Sequence, residues 1–362
     1  MASGKMSLQE QKRVLANNHN FIVDNLDADD YRWTRHAGEI LRRNKRQSFI
    51  AEELGKLKYN PIGVRRLQAR YLRHLSNDWP HYYIRLALVR GEQVTRADKS
   101  LDEITRLTLQ GQVDEILLKK EQLGELRDIF HYQNKTCPRL ILVMGGPGIG
   151  KTTLANEICV KWANRDGFLA EDFDIVILIP LRSVQQRSIE EAMVEHIGEE
   201  TYKQVKESVG SKCLVILEGL DEMAAEHRES DPFLVRVVKQ CTLLEKVTIM
   251  ITSRPHACEK LDAGRRVEIV GFGKEEIQKF VKRSFPNDVK YVEEFSQQLK
   301  EYPHLESLSY VPMNLKMIVE IFEGSEKKLP STITKLYQLF IVMTVRAAHR
   351  GGNWGILPRA PA

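Results

Sequence analysis

Arg139 to Ala155 reads RLILVMGGPGIGKTTLA, and this stretch decides the fold. Leu140 to Val143 form an unbroken apolar run, the pattern of a strand buried on both faces. A glycine-rich turn follows, and a helix begins near Lys151. The turn fits G-x-x-x-x-G-K-[ST] in full: Gly145, Gly146, Pro147, Gly148, Ile149, Gly150, Lys151 and Thr152, with Thr153 next in line. Glycines let backbone N–H groups converge on a phosphate chain without Cβ obstruction. Lys151 has the reach for the β- and γ-phosphates, and the Thr152 hydroxyl suits Mg²⁺. The start of the helix adds the positive end of its dipole. A turn without a ligand would also join strand to helix, but the full match after an apolar strand points to a nucleoside triphosphate site.

Downstream, apolar runs alternate with helical stretches. Phe173 to Pro180, FDIVILIP, has the β-branched richness of a sheet interior. A helical stretch from Ser188 to Val209 precedes KCLVILEGLDE, whose strand Cys213 to Leu217 runs into carboxylates. Val247 to Ile251 then ends in TSRP. This alternation predicts right-handed crossovers and a parallel sheet flanked by helices, with ligands at the carboxyl ends of the strands. Glu218 closes its strand about 65 residues after the P-loop, where a Mg²⁺-binding acid is expected. Asp221 and Glu222 follow one turn later and are expected to face the γ-phosphate, with a role in orienting water. Arg254 is placed to sense or stabilise the same phosphate.

Composition sets bounds on the rest. The 362 residues are 42% hydrophobic and 28% charged, ordinary for a globular chain of two or three domains. No apolar run approaches the roughly 18 residues that span a bilayer, and MASGKMSLQEQKR lacks the apolar core of a signal peptide. The cysteines, Cys137, Cys159, Cys213, Cys241 and Cys258, are odd in number and widely spaced, which suits buried thiols in the cytoplasm rather than a disulfide or zinc framework. His196, His227, His256 and His304 match no metal spacing. Charge is uneven. Residues 1–100 carry 19 Lys/Arg against 11 Asp/Glu, while the chain as a whole is +5, so the remainder is net acidic. A basic N-terminal third suits nucleic acid, an anionic membrane, or the charged face of a protein-interaction domain.

The motifs GGPGIGKTTLA, LVILEGLDEM, ITSRP and VEIVGFGKEEIQKFV together resemble the successive signatures of the NACHT family of signalling P-loop NTPases, the NOD-like receptor type. The resemblance covers Cys137 to Val345. It implies ATP/ADP with Mg²⁺ as ligands, with Thr152 and Glu218 as metal residues and Asp221, Glu222 and Arg254 as catalytic ones. It also implies a helical subdomain behind the sheet, for which Glu275 to Arg283, Val289 to Tyr302, Leu315 to Phe322 and Ile333 to Ala348 supply helices. Pro312, in YVPMNLKMI, matches the proline that approaches the adenine base in such proteins; it could equally just start a helix. EKLD, at Glu259 to Asp262, faintly resembles a guanine-specificity motif but begins with Glu and lies past the strand end, so adenine is favoured. Where the family commonly has D-G-x-D-E, this chain has Glu218-Gly219-Leu220-Asp221-Glu222, one methylene longer at the metal position. That leaves nucleotide binding intact and puts the rate of hydrolysis in question.

The N-terminal third reads as all-α. Leu8 to Leu26, Glu39 to Leu41, Phe49 to Leu57, Val64 to Leu75 and Tyr82 to Val89 are predicted helical segments. VLANNHNFIVDNLDADDY resembles the first helix and turn of a caspase-recruitment (CARD) domain, through Asn18, Phe21, Leu26 and Tyr31. RLQARYLRHLSNDWPHYYIRLALVRGE resembles its later helices, with Trp79 and Tyr83 as core residues. The segment between departs from that family by carrying Arg32, Arg35, Arg42, Arg43, Lys45 and Arg46. The expected organisation is a CARD-like death-fold domain at 1–95, a charged helical linker at 96–136, the nucleotide core at 137–270, a helical subdomain at 271–350 and a disordered tail at 351–362.

The resemblance implies a switch that self-associates on ATP exchange and presents its N-terminal domain to CARD or death-fold adaptor proteins in innate-immune or cell-death signalling. Two other readings stay open: a nucleic-acid-stimulated P-loop ATPase, and an adaptor with a vestigial ATP site. No helicase-type motif accompanies the shared Walker elements, which ranks nucleic acid below a protein partner. Relatives of this family continue into a winged-helix domain and repeats. No repeat period occurs here, so a short form or an incomplete product is expected.

Overall fold

The computed structural model describes residues 61–75, 84–91, 112–131, 137–184, 188–200, 212–223, 247–258 and 263–349, apart from positions 287 and 326, with isolated positions between these segments. The CARD-like features at Asn18, Phe21, Leu26, Tyr31, Trp79 and Tyr83, the basic cluster at 42–46 and the tail at 351–362 lie outside the described residues.

Six strands form one sheet: Ala87–Arg90 (β1), Leu140–Met144 (β2), Ile175–Pro180 (β3), Cys213–Glu218 (β4), Val247–Ser253 (β5) and Arg265–Gly271 (β6), side by side in the order β1-β6-β2-β5-β4-β3. The four expected strands are β2 to β5, each parallel to its neighbours, with Leu140 across from Ile249 and Cys213 across from Val247. Every residue of β2, β4 and β5 is buried. That explains their unbroken apolar runs, since strands shielded on both faces have no reason to alternate.

Two strands correct the sequence reading. Tyr82 to Val89 was expected to be a helix; instead β1 pairs antiparallel with β6, so the sheet is mixed rather than parallel. Ile84, Leu86 and Leu88 are buried and Arg85 is exposed, a period-two alternation characteristic of a strand. β6 itself, the VEIVG run, sits inside the sheet beside β2. The segment 87–90 thus joins the nucleotide core, not a separate N-terminal unit ending at 95.

Both sheet edges are partly covered by the chain. Pro61–His74 (α1) lies against the outer edge of β3, where the buried Tyr71 hydroxyl donates to the Val176 carbonyl at 3.2 Å and accepts from the Leu178 N–H at 2.8 Å. One hydroxyl therefore satisfies a donor and an acceptor of the edge strand. At the other edge, Val113–Lys119 (α2) leads into residues 121–123, which bond β1 through Arg90 N–H to Glu121 O (2.8 Å) and Leu123 N–H to Leu88 O (2.9 Å). Val113, Ile116, Leu123, Ile129 and Phe130 are buried, so the described part of the expected linker is packed into the core.

Lys151–Ala163 (α3), Phe168–Asp172 (α4) and Ile189–Ile197 (α5) fill the crossovers. A capping box starts α5: Ser188 Oγ accepts from Glu191 N–H, and the Glu191 carboxylate accepts from Ser188 N–H. The helix stops short of Val209 because Gly198, at φ +80°, turns its N–H back to the Val194 carbonyl. After β6 come Lys274–Ser284 (α6), Val289–Glu301 (α7), Pro303–Ser309 (α8), Pro312–Gly324 (α9) and Ile333–His349 (α10). Four match the expected helices; α8, opened by Pro303, was not foreseen. Phe285, Phe295 and Phe322 form the subdomain's aromatic core, with ring centroids 5.2 to 6.2 Å apart. Among the described residues, no helix is long and apolar enough to cross a membrane.

Candidate nucleotide site

The P-loop runs from the end of β2 to the start of α3. Gly148 and Gly150 hold φ of +68° and +108°, backbone that side chains rarely adopt. Pro147 and Ile149 fill the remaining turn positions, with Ile149 buried and packed against Gly145 and Gly271. Gly145 N–H donates to the Ser253 carbonyl at 3.2 Å, tying the loop to the end of β5. Lys151 folds over the loop and donates from Nζ to the carbonyls of Gly145 and Gly146, both at 2.9 Å. Burial pulls the Lys151 ammonium's pKa down, opposed first by Asp221. Thr153 follows on α3 and is exposed.

The carboxyl ends of β4 and β5 bring the acids to this loop. Glu218 is buried, and Thr152 Oγ1 donates to its Oε1 at 2.5 Å. Burial pushes the Glu218 carboxyl's pKa up, while the Thr152 hydrogen bond pulls it back. Two hard oxygens converge here beside the phosphate cradle, a donor set that fits Mg²⁺. The longer side chain of Glu218 has not kept it from Thr152. Beyond it, Gly219 (φ +80°) turns the chain and donates its N–H to the buried Thr252 hydroxyl at 3.0 Å.

Asp221 does not stand free toward the phosphates as expected. Its carboxylate grips Arg254 twice, accepting from Nε at 2.9 Å and from the Arg254 backbone N–H at 3.0 Å. Only 6% of the Asp221 side chain is exposed, against 46% for Arg254. The pair locks the turn after β4 to the end of β5, and that ties up the arginine expected to sense phosphate. Glu222 lies over Gly219: its carboxyl carbon is 3.3 Å from where a Cβ on that glycine would sit.

Pro312 opens α9 at the other wall of the loop. The next residue, Met313, packs on Gly148 and donates its N–H to the Gly148 carbonyl at 3.3 Å. Gly271, at φ +112°, lets β6 pass so close that a Cβ there would run into the Tyr310 carbonyl oxygen. Phe272 N–H donates to that same oxygen at 2.9 Å. Leu86, just before β1, covers Gly150 from the side. Sequence reasoning missed Leu86 and Met313. Only Leu86 had a local signal, the alternation around it.

Comparison with known proteins agrees with this geometry. Residues 139–288 match the NACHT domain family. NACHT, LRR and PYD domains-containing protein 12 of Homo sapiens is 26% identical over 234 residues, 57% of this chain and 22% of that one. NLR family CARD domain-containing protein 3 of Homo sapiens is 29% identical over 173 residues, covering 42% and 16%. NACHT, LRR and PYD domains-containing protein 3 of Homo sapiens is 27% identical over 244 residues, covering 59% and 23%. The chain thus spans less than a quarter of the length of these curated relatives. Among solved structures, a RuvB mutant from Thermotoga maritima superposes with a TM-score of 0.30 at 11% identity, over 68% of this chain and 74% of that one, too slight a likeness to add to the strand order. The matched segment holds the P-loop, the acid-ended β4 and the Arg254 turn on one sheet, and this part of the chain is a P-loop NTPase domain of the NACHT type.

Proposed function

We propose that this chain is an ATP/ADP-dependent signalling switch whose nucleotide state governs self-association. The observation that carries the reading is the position of the P-loop between two walls. On one side Thr152 meets Glu218 at 2.5 Å; on the other Gly148 is hydrogen-bonded to Met313 of the helical subdomain. A phosphate chain bound in the loop would lie between these walls, and its γ-phosphate would supply the differential contact that a two-state switch requires. Thr152 and Glu218 would hold Mg²⁺, which when bound neutralises charge between the β- and γ-phosphates. Lys151 leaves the carbonyls of Gly145 and Gly146 for phosphate oxygens. Glu222 orients the attacking water, and Pro312 borders the adenine. Asp221 keeps Arg254 in place at the carboxyl edge, and slow hydrolysis resets the switch.

The N-terminal region 1–95 is the proposed interaction module for CARD or death-fold adaptors in the cytoplasm, in innate-immune or cell-death signalling. One relative carries CARD in its name and two carry PYD. The test is bound-nucleotide analysis of the purified full chain, with particle mass read on the same samples. The wild type is expected to hold ADP or ATP and to enlarge with an ATP analogue. Lys151→Ala is expected to weaken binding by roughly a hundredfold and to stay small. A wild type that binds neither nucleotide and matches Lys151→Ala in mass would sink the reading.

A further inference from the structure

We infer that Arg182 is a phosphate-binding residue of this site, directed at the terminal phosphate. The inference rests on the reading of the P-loop as an ATP site. Pro180, the last residue of β3, lies in register opposite Glu218, so the chain leaving β3 emerges beside the acid. It does so in a tight 3-10 turn, Leu181–Ser183, anchored on both sides. Leu181 and Val184 are buried, Val184 N–H donates to the Leu181 carbonyl at 3.1 Å, and Ser183 Oγ donates to the Pro180 carbonyl at 2.7 Å. The turn fixes its backbone inward and presents Arg182 outward, exposed.

The other two cations at this end of the sheet are engaged. Lys151 sits on the carbonyls of its own loop, and Arg254 is held at two points by Asp221. Arg182 makes neither a hydrogen bond nor an ion pair with any described residue. Two residues before it, Pro180 stands directly across from Glu218, which places the Arg182 charge near that carboxylate. β3 stands one strand beyond β4, roughly 5 Å farther from the P-loop than Glu218. From that exposed position, a side chain swung toward Glu218 would meet the part of a phosphate chain most distant from the backbone cradle. A guanidinium with its fork of donors suits phosphate oxygens better than a point charge does. Three cations, Lys151, Arg182 and Arg254, then face three carboxylates, Glu218, Asp221 and Glu222, leaving the site neutral before an anionic ligand enters.

The test is calorimetric titration of the full chain with Mg²⁺ and either ADP or a non-hydrolysable ATP analogue. Arg182→Gln is expected to lose roughly ten- to a hundredfold in affinity for the ATP analogue while ADP stays within about twofold. Arg182→Lys should recover part of the loss. The side chain has no packing role, so the urea midpoint should not move. If Arg182→Gln weakens both nucleotides equally, or neither, while the wild type binds both, the inference fails and the ATP site stands. If the wild type binds neither nucleotide, the reading of the site falls and the inference falls with it.

Discussion

The two walls of the P-loop are built on opposite plans. On the acid side, side chains do the holding: Thr152 on Glu218, Asp221 on Arg254, and the Thr252 hydroxyl under Gly219. On the helical side the closest approaches are made by backbone, with Gly271 against the Tyr310 carbonyl and the Gly148 carbonyl on the Met313 N–H. The acid wall also completes its buried carboxylate, whereas the helical subdomain leaves one incomplete. Glu218 accepts from Thr152; Glu320 of α9 has a buried Oε2 without a hydrogen-bond partner among the described residues, with Lys316 4.0 Å from its other oxygen. A wall of side chains has alternatives within rotamer reach, while one made by backbone approach has none. The helical wall should be the less forgiving of substitution and the acid wall the more adjustable by ligand.

The harshest test of that contrast is Gly271→Ala. A methyl group there combines strained backbone with a clash against a carbonyl that cannot rotate away, and it is expected to cost about 3 to 4 kcal/mol. Thermal or urea unfolding would show it as a large fall in the midpoint. A midpoint within error of wild type would mean that the helical wall yields as readily as the acid one.

Asp221→Asn probes the other side. Arg254 is half exposed and keeps its solvent contact, so the expected loss is smaller, about 1 to 2 kcal/mol by urea unfolding. An equal or greater loss than at Gly271 would reverse the ranking of the two walls.

The smallest effect concerns pH. Burial pushes the Glu320 carboxyl's pKa up to about 7, with Lys316 pulling it down and Glu323 pushing it up. Its folded-state pKa is raised above the unfolded value, so the stability it lends is present at low pH and is lost as pH rises through 7. Glu320→Gln is therefore expected to be more stable than wild type at pH 8 by about 1 kcal/mol, a figure already discounted for partial exposure, and nearly equal to it at pH 5. Identical midpoint-against-pH curves for the two proteins would show that this carboxyl is better satisfied than its surroundings indicate.

The same contrast explains what could be read from the residues alone. Four strands and four of the helices after β6 were legible because long apolar runs and helical spacing are local properties. The P-loop and Glu218 were legible because phosphate and metal chemistry limits which residue types serve. Pairings across the fold were not. Nothing in the spacing of Asp221 and Arg254 shows that they hold each other, and Gly271 looks like any strand-ending glycine until Tyr310 arrives beside it. β1 was misread because four residues between two charged segments carry a weak periodic signal, and because its partner β6 lies far along the chain.

The partly covered sheet edges bear on aggregation. Tyr71 bonds two backbone groups of β3, the Val176 carbonyl and the Leu178 N–H, and residues 121–123 bond Leu88 and Arg90 of β1, so among the described residues both borders are partly covered. Partial cover of this kind disfavours growth by adding strand to strand, the route to continuous fibrils.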